Sequence, residues 1–464
     1  MNTHEVKSVS QGKLNPVLGA VGALMLVLSA ATPASSVFVI IPGVIAMAGT
    51  GSLLSFVVAA VIGLLMALVY AELSSAFPTT GGEYTMVGKT LGKFWGFLTF
   101  GLTFITNTLI IAVIALGVGT YLGPSIGNPD PRILATVTIA LAALVAMVKV
   151  NTSAFVTGLF LAVEIFALVL ISILGFLHME RPFSSLFTSP MFLDTATNSL
   201  SRVPGGIIMA ATAIALFAYN GYGAAAGFGE ETHDPKRNIV KVVLWALFII
   251  VVFEIVPLTA VLLSAPDLKD LLVAPQKIEY FLEARAGHTG TIITSLVIAL
   301  AIFNAVIAII MQTARYLFSS GRDKTWVSNS LNSGLATISK RFGSPWISTA
   351  VVALLSGAAS FIDINYLLVA TSATLVVIYA LLCIAVIVGR NNKSTSIGIY
   401  RMPFFPLPAI IALLFLCYIT YETAQDAAIG MPSLIAAALL VFIYAVYYFI
   451  FLYRRTDWEL HSLK

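Results

Sequence analysis

Twelve apolar stretches of about twenty residues each, the length that crosses a hydrocarbon core, follow one another along this chain, near residues 17–45, 51–76, 94–122, 132–150, 153–179, 203–229, 240–264, 289–319, 345–362, 365–389, 403–421 and 432–453. Two of them are interrupted. Leu28-Ser-Ala-Ala-Thr-Pro-Ala-Ser-Ser36 separates the apolar runs Val17–Val27 and Val37–Ile45, and Phe217-Ala-Tyr-Asn-Gly-Tyr-Gly-Ala-Ala-Ala-Gly-Phe-Gly229 follows Ile207–Leu216. Lipid offers no partner to an unpaired peptide group, so such breaks survive only where they line a cavity enclosed by protein. Breaks at corresponding places in two halves of a membrane chain point to a transporter's substrate site.

Composition agrees with a membrane chain. Hydrophobic residues make up 59% and charged residues 10%, where a soluble domain is roughly a quarter charged. Mean hydropathy is +0.98. The first sixteen residues are polar and carry Lys7 and Lys13. The span behind them is too long for a signal-peptide core, so it reads as a retained helix. With both termini inside, only Arg132, Arg181, Arg202, Lys269, Lys277 and Arg285 of the 25 Lys and Arg residues fall outside. That bias predicts a multi-pass protein of the cytoplasmic (inner) membrane with both ends cytoplasmic. The net charge of +4 then reflects the same bias and requires no nucleic-acid partner.

Several chemistries find no support. Cys383 and Cys417 sit inside apolar spans and form no disulfide or metal framework. His4, His178, His233, His288 and His461 make no ligand-spaced pair, so neither a metal nor a cofactor is expected. No Gly-x-x-x-x-Gly-Lys-Ser/Thr loop occurs, which argues against ATP-driven pumping. No nucleophile–base set lies in the spans, so the chain does not read as an enzyme.

The organisation is a single transmembrane domain over 17–453, flanked by a cytoplasmic segment 1–16 and a tail 454–464. The longest polar connections, about 180–202, 265–288 and 320–344, each hold a short amphipathic stretch, such as Leu268–Leu272 and Leu331–Ile338, suited to an interfacial helix. The broken spans are the first and the sixth. Two five-helix repeats, about 17–179 and 203–389, would begin with them, leaving two additional helices at 403–453. An odd repeat length makes the second repeat inverted.

Three polar segments recur at span ends: Tyr70-Ala-Glu-Leu-Ser-Ser-Ala-Phe-Pro-Thr-Thr-Gly-Gly-Glu-Tyr84, Glu230-Glu-Thr-His-Asp-Pro-Lys-Arg-Asn-Ile239 and Gln312-Thr-Ala-Arg-Tyr-Leu-Phe-Ser-Ser-Gly-Arg-Asp323. Together, in this order and over nearly the whole chain, they resemble the amino acid–polyamine–organocation (APC) superfamily of transporters. The resemblance implies an all-α membrane protein of the leucine-transporter-like inverted-repeat fold, with helices one and six discontinuous. It also implies substrate bound between helices one, three, six, eight and ten near mid-membrane.

The residues reach the same place through helix ends. Where helix one breaks, the second half begins with free N–H groups and a positive dipole end, a cradle for a carboxylate. Thr32, Pro33, Ala34, Ser35 and Ser36 are the candidates. In helix six, carbonyls freed around Phe217, Ala218 and Tyr219 would accept an ammonium, and Asn220, Gly221 and Tyr222 make the unwound turn. The resemblance implies that Phe217 covers bound substrate on the outer side. The position after Tyr222 carries an acid in many relatives, whereas here Gly223 leaves volume. Thr106, Asn107 and Asn304 are further candidate pocket walls, although helix–helix hydrogen bonding explains such residues more often than ligand contact does.

Glu164 lies at the middle of span five, where the resemblance places a Lys in several relatives that replaces a sodium ion. A carboxyl there is desolvated and suited to carry a proton. An ionised Glu164 binding sodium, or a protonated one bonded to helix one without a coupling role, are the alternatives. Glu254, before Pro257, is a second intramembrane acid. Glu72, Glu231, Arg315, Arg322 and Asp323 lie at cytoplasmic span ends and are candidate gate residues, though snorkelling explains the same pattern. The reading is a secondary active transporter for a small amino acid or related amine, working by alternating access with proton symport. An exchanger or polyamine importer is the alternative, sodium coupling is less favoured, and monomer and homodimer stay open.

Overall fold

The computed structural model describes residues 16–148, 150–194, 197–339, 341–428 and 430–460. The N-terminal segment up to residue 15, Lys149, Lys340 and the end of the tail lie outside the described residues. The first apolar stretch is helix α1 (Ala20–Ala31), a short α2 (Pro33–Ser35), a π-helical turn Ser36–Ile40 and α3 (Ile41–Ala48). It is followed by α4 (Ser52–Ala76), the short α5 (Glu83–Leu91), α6 (Lys93–Leu122), α7 (Pro131–Ala146) and α8 (Val150–Leu177).

A polar connection then holds α9 (Ser185–Thr188) and a two-stranded antiparallel hairpin, β1 (Met191–Asp194) against β2 (Ser199–Arg202), with Met191 opposite Arg202. The hairpin was not anticipated, because strands of four residues are too brief for alternation to stand out. The interrupted α10 (Gly205–Ala218) and α11 (Ala224–Gly227) come next, then α12 (Pro235–Ser264), α13 (Leu268–Val273), α14 (Lys277–Arg322) and α15 (Asn329–Leu335). The chain closes with α16 (Trp346–Ala359), α17 (Ile364–Asn391), α18 (Leu407–Gln425) and α19 (Gly430–Tyr447).

Among the described residues, eight segments are long and apolar enough to cross a membrane, the first running from Ala20 to Ala76 through both the break and α4. Three shorter apolar helices, α7, α10 and α16, accompany them. Burial sorts these segments into layers. The most apolar window of α6 is 89% buried, whereas that of α19 is 11% buried. Helix α6 therefore runs through the middle of the protein, packed on α5, α7, α14 and α17, and α19 lies at the margin against α6, α17 and α18. Large apolar side chains such as Phe155, Leu159 and Phe166 are exposed on the outer surface, as a bilayer-facing surface requires.

The first and last described segments both lie on one face of the bundle, called here the terminal face. The backbone N–H groups of Val17 and Leu18 donate to the Glu231 carbonyl at 2.8 Å, and Lys93 Nζ donates to the Trp458 carbonyl at 2.9 Å. The hairpin lies on the opposite face, where Thr50 and Met191 exchange hydrogen bonds. Three basic residues on that face cap helix ends. Arg181 donates to the Leu262 and Ala265 carbonyls, Arg285 to the Ser264 carbonyl, and Lys277 to the Leu272 and Ala274 carbonyls. The last carbonyls of a helix have no partner of their own, so these cations have a local task.

Candidate functional site

The backbone breaks where the sequence places polar residues. Thr32 adopts a left-handed conformation (φ 49°) that ends α1, and the helix restarts at Pro33. Proline is favoured at a first helical position because its missing N–H has no partner there in any case. The following π-turn leaves the run irregular as far as Ile40, a feature frequent at functional sites. In the second break α10 ends at Ala218, and Tyr219–Gly223 form a turn before α11. Gly221 sits at φ 127°, and a Cβ built on it would stand 2.3 Å from the Ala31 Cα. Only glycine permits that approach. The two breaks thus touch, and the Ser36 hydroxyl crosses between them to the Ala218 carbonyl at 3.0 Å.

A narrow cavity lies where they meet. The space open to the centre of a water molecule is ≈ 40 Å³, bounded by Thr32, Ser36, Phe217, Ala218, Asn220 and Gly221 from the breaks and by Thr106 and Asn107 from α6. Thr103, Tyr70, Glu83 and Gln312 complete its polar wall. Thr106 donates to Thr374 on α17 at 2.7 Å. Three buried polar atoms of this wall have no hydrogen-bond partner among the described residues: Glu83 Oε2, Asn107 Nδ2 and Thr103 Oγ1. A buried polar atom left unpaired costs about 1–3 kcal/mol, so the cavity is built to be filled.

Other candidates lie elsewhere. Pro33, Ala34, Ser35, Tyr219, Tyr222 and Gly223 are buried behind the cavity rather than on it. Tyr219 donates to the Phe56 carbonyl at 3.2 Å, and Tyr222 to the Tyr379 hydroxyl at 3.1 Å. Gly223 leaves no volume, contrary to the sequence expectation: a Cβ there would stand 2.7 Å from the Tyr70 ring, because that phenol has filled the space. Two of the three helix-six carbonyls expected to accept an ammonium are already paired. The Phe217 carbonyl accepts from the Asn220 N–H at 3.0 Å and the Ala218 carbonyl from Ser36, since the turn re-pairs what the break released.

Asn304 is no cavity wall either. Its amide donates to Glu164 Oε1 at 2.6 Å, joining α14 to α8 behind α1. Glu164 is 1% exposed, and its Oε2 has no partner among the described residues. Beside it, the Ser29 hydroxyl of α1 donates to the Thr157 carbonyl of α8. Glu254 on α12 is wholly buried next to the Ser36 hydroxyl.

The terminal face is ionic. Arg315 binds Glu231 through two nitrogens at 2.5 and 2.9 Å, both side chains under 5% exposed. Arg322 binds Glu230 at 2.9 and 3.1 Å, and the same carboxylate accepts from the Thr80 hydroxyl at 2.7 Å. Burial alone would raise the Glu230 carboxyl, but the Arg322 hydrogen bonds and charge, aided by Thr80, outweigh it and hold the group below its ordinary value. Asp323 accepts from the Tyr84 hydroxyl. Glu72 joins none of these. It is held by Arg390 through two bonds of 2.7 Å, with Arg401 at 3.6 Å and the Met402 N–H at 2.9 Å.

A family model described as amino acid permease matches residues 18–452. The chain belongs to the amino acid permease family. It is accordingly a multi-pass membrane protein of the APC superfamily. This permease is 27% identical to an uncharacterised transporter of Mycobacterium tuberculosis over 83% of its own length and 82% of the relative's. It is 22% identical to a branched-chain amino acid permease of Lactococcus lactis (83% and 85% covered) and 23% identical to a methylthioribose transporter of Bacillus subtilis (91% and 90% covered).

Glu83, Glu230, Arg390 and Arg401 received no role from the sequence of this permease. Each was visible as a charge at a span end, but the pairing of distant span ends is not readable along the chain. The one available signal for Glu83 was the adjoining Gly81-Gly82. Gly82 lies at φ 51°, and a Cβ on it would come within 2.9 Å of the Tyr316 hydroxyl.

Proposed function

We propose that this permease is a secondary active transporter that carries a small amino acid across the cytoplasmic membrane by alternating access, with a proton as the coupling ion. The observation that carries the reading is the meeting of two helix breaks at one cavity whose wall keeps the Asn107 amide and the Thr103 hydroxyl unpaired. Both are donors suited to a carboxylate, and the helix that restarts at Pro33 adds its positive end. The names of the Lactococcus relative and of the family are in keeping with an amino acid substrate.

In this reading the chain is twelve helices, two inverted five-helix repeats and two additional helices, with both ends cytoplasmic. The breaks support it: α1 runs 12 residues before its interruption and α10 runs 14, each opening one repeat. Phe217, 3% exposed at the cavity wall, closes the outer path, and the ion pairs of the terminal face close the cytoplasmic one. Glu164 carries the coupling proton. It is buried against Asn304 with no cation beside it among the described residues, and it adjoins α1, whose break forms the cavity.

Proteoliposomes test this directly. The purified permease is expected to accumulate a labelled amino acid when the lumen is alkaline. Glu164→Gln should abolish that pH-driven uptake and retain counterflow, because the amide keeps the hydrogen bond to Asn304 but carries no proton. Undiminished pH-driven uptake by the variant would overturn proton coupling through Glu164. Uptake that needs an internal amino acid and ignores the gradient would identify an exchanger.

A further inference from the structure

The cavity holds one carboxyl group, and nothing in the preceding reading uses it. Glu83 opens α5 between the spans of α4 and α6, is 6% exposed, and lines the cavity beside Gln312 and Asn220. Its Oε1 accepts from the Tyr70 hydroxyl at 3.1 Å, and the Tyr316 hydroxyl lies near the carboxyl. Oε2 has no partner among the described residues. The groups acting on it are these phenols and its own backbone N–H; among the described residues no lysine, arginine or histidine is one of them. On the terminal face Glu72, Glu230 and Glu231 each have a guanidinium against them, whereas the Glu83 carboxyl has a phenol and no cation among the described residues.

Its position is enforced. Gly82, in a left-handed conformation against the Tyr316 ring, lets the chain come close enough for Glu83 to reach inward. Tyr70 occupies the space beside Gly223 and holds the carboxyl by its hydroxyl. Of the carbonyls of the second break, those of Phe217 and Ala218, which border the cavity, already accept hydrogen bonds. Among the described side chains of the cavity wall, Glu83 Oε2 is the carboxylate oxygen left unpaired, and the Asn107 amide and the Thr103 hydroxyl are unpaired donors. A buried carboxylate without a counter-charge is costly, and a cation at hydrogen-bond distance relieves that cost.

We propose that Glu83 receives the ammonium group of the substrate, while the Asn107 and Thr103 side and the restarted helix at Pro33 receive its carboxylate. The assignment rests on the amino acid transport reading above and names the polar contact that reading leaves open. The ammonium is either the α-amino group or one at the far end of a basic side chain; the chemistry at Glu83 is the same. Burial raises the carboxyl, outweighing the lowering by the Tyr316 and Tyr70 hydroxyls, so acid protonates it above the ordinary carboxylate range. Affinity for an ammonium-bearing ligand then falls as pH falls through that raised value, since only the ionised form attracts the cation.

Binding of leucine, lysine, 1,5-diaminopentane and 4-methylpentanoate to the full-length permease in lipid nanodiscs tests this. Glu83→Gln is expected to weaken ammonium-bearing ligands at least tenfold, to leave 4-methylpentanoate unchanged, and to flatten the pH dependence. Weakening of leucine and lysine alike assigns the α-ammonium; weakening of lysine and the diamine alone assigns a distal one. Glu83→Asp, which keeps the charge, should bind better than Glu83→Gln. The proposal is overturned if Glu83→Gln binds every ligand as the parent does, keeps the parent's pH slope, or equals Glu83→Asp. Should Glu83→Gln fail to fold, Tyr70→Phe is expected to weaken the same ligands several-fold, and an unchanged affinity would be equally fatal. Absence of any binding or uptake of amino acids by the parent would instead sink the transport reading itself.

Discussion

The terminal face and the cavity are built from the same kinds of residue and treat charge in opposite ways. On the terminal face, Glu72, Glu230 and Glu231 each hold an arginine through two bonds. Around the cavity and behind it, Glu83, Glu164 and Glu254 have no guanidinium or ammonium among the described residues, and each keeps at least one oxygen unpaired. A buried ion pair resists the loss of either partner, because the survivor is left as an unpaired charge. A buried carboxyl with only neutral neighbours resists nothing of the kind and gains most from a cation or a proton. In the transport reading proposed above, the difference separates groups that would hold the protein closed from groups that would take up a cation or a proton.

The comparison breaks most visibly at Arg315. Its pair with Glu231 is nearly inaccessible to water, so Arg315→Ala should cost about 3–5 kcal/mol in thermal or denaturant unfolding in detergent. Adding Glu231→Gln should recover most of that loss, and a double variant no more stable than the single would refute the pairing argument. Next in size, Glu83→Gln and Glu164→Gln should each change stability by no more than about 1 kcal/mol, since an amide oxygen replaces a carboxylate oxygen that has no counter-charge. A loss near that of Arg315→Ala would move either acid to the structural side of the comparison. The smallest effect belongs to Arg401, 47% exposed and 3.6 Å from Glu72; Arg401→Ala should cost under about 1 kcal/mol, read as the same unfolding midpoint.

Much of this was legible along the chain because membrane helices satisfy their own backbone, so a run of apolar residues announces a helix without reference to the rest of the fold. Thr32-Pro33 announced a break for the same local reason, as did Asn220-Gly221. What failed was inference about neighbours. Gly223 suggested open space until Tyr70 proved to fill it. Asn304 suggested a cavity wall and instead binds Glu164. Glu72 was grouped with Glu231 by depth alone, yet it pairs with Arg390, 318 residues along the chain.

The sequence by itself therefore determined the class of protein, the two breaks and their polar residues, all of them consequences of how one segment meets lipid. Only the tertiary structure decided which polar atoms stay unpaired once helices far apart in sequence are packed together. Hydrogen bonds are short and directional, so the difference between the occupied carbonyl of Ala218 and the unpaired oxygen of Glu83 is a matter of ångströms across four helices, which no spacing along a chain encodes.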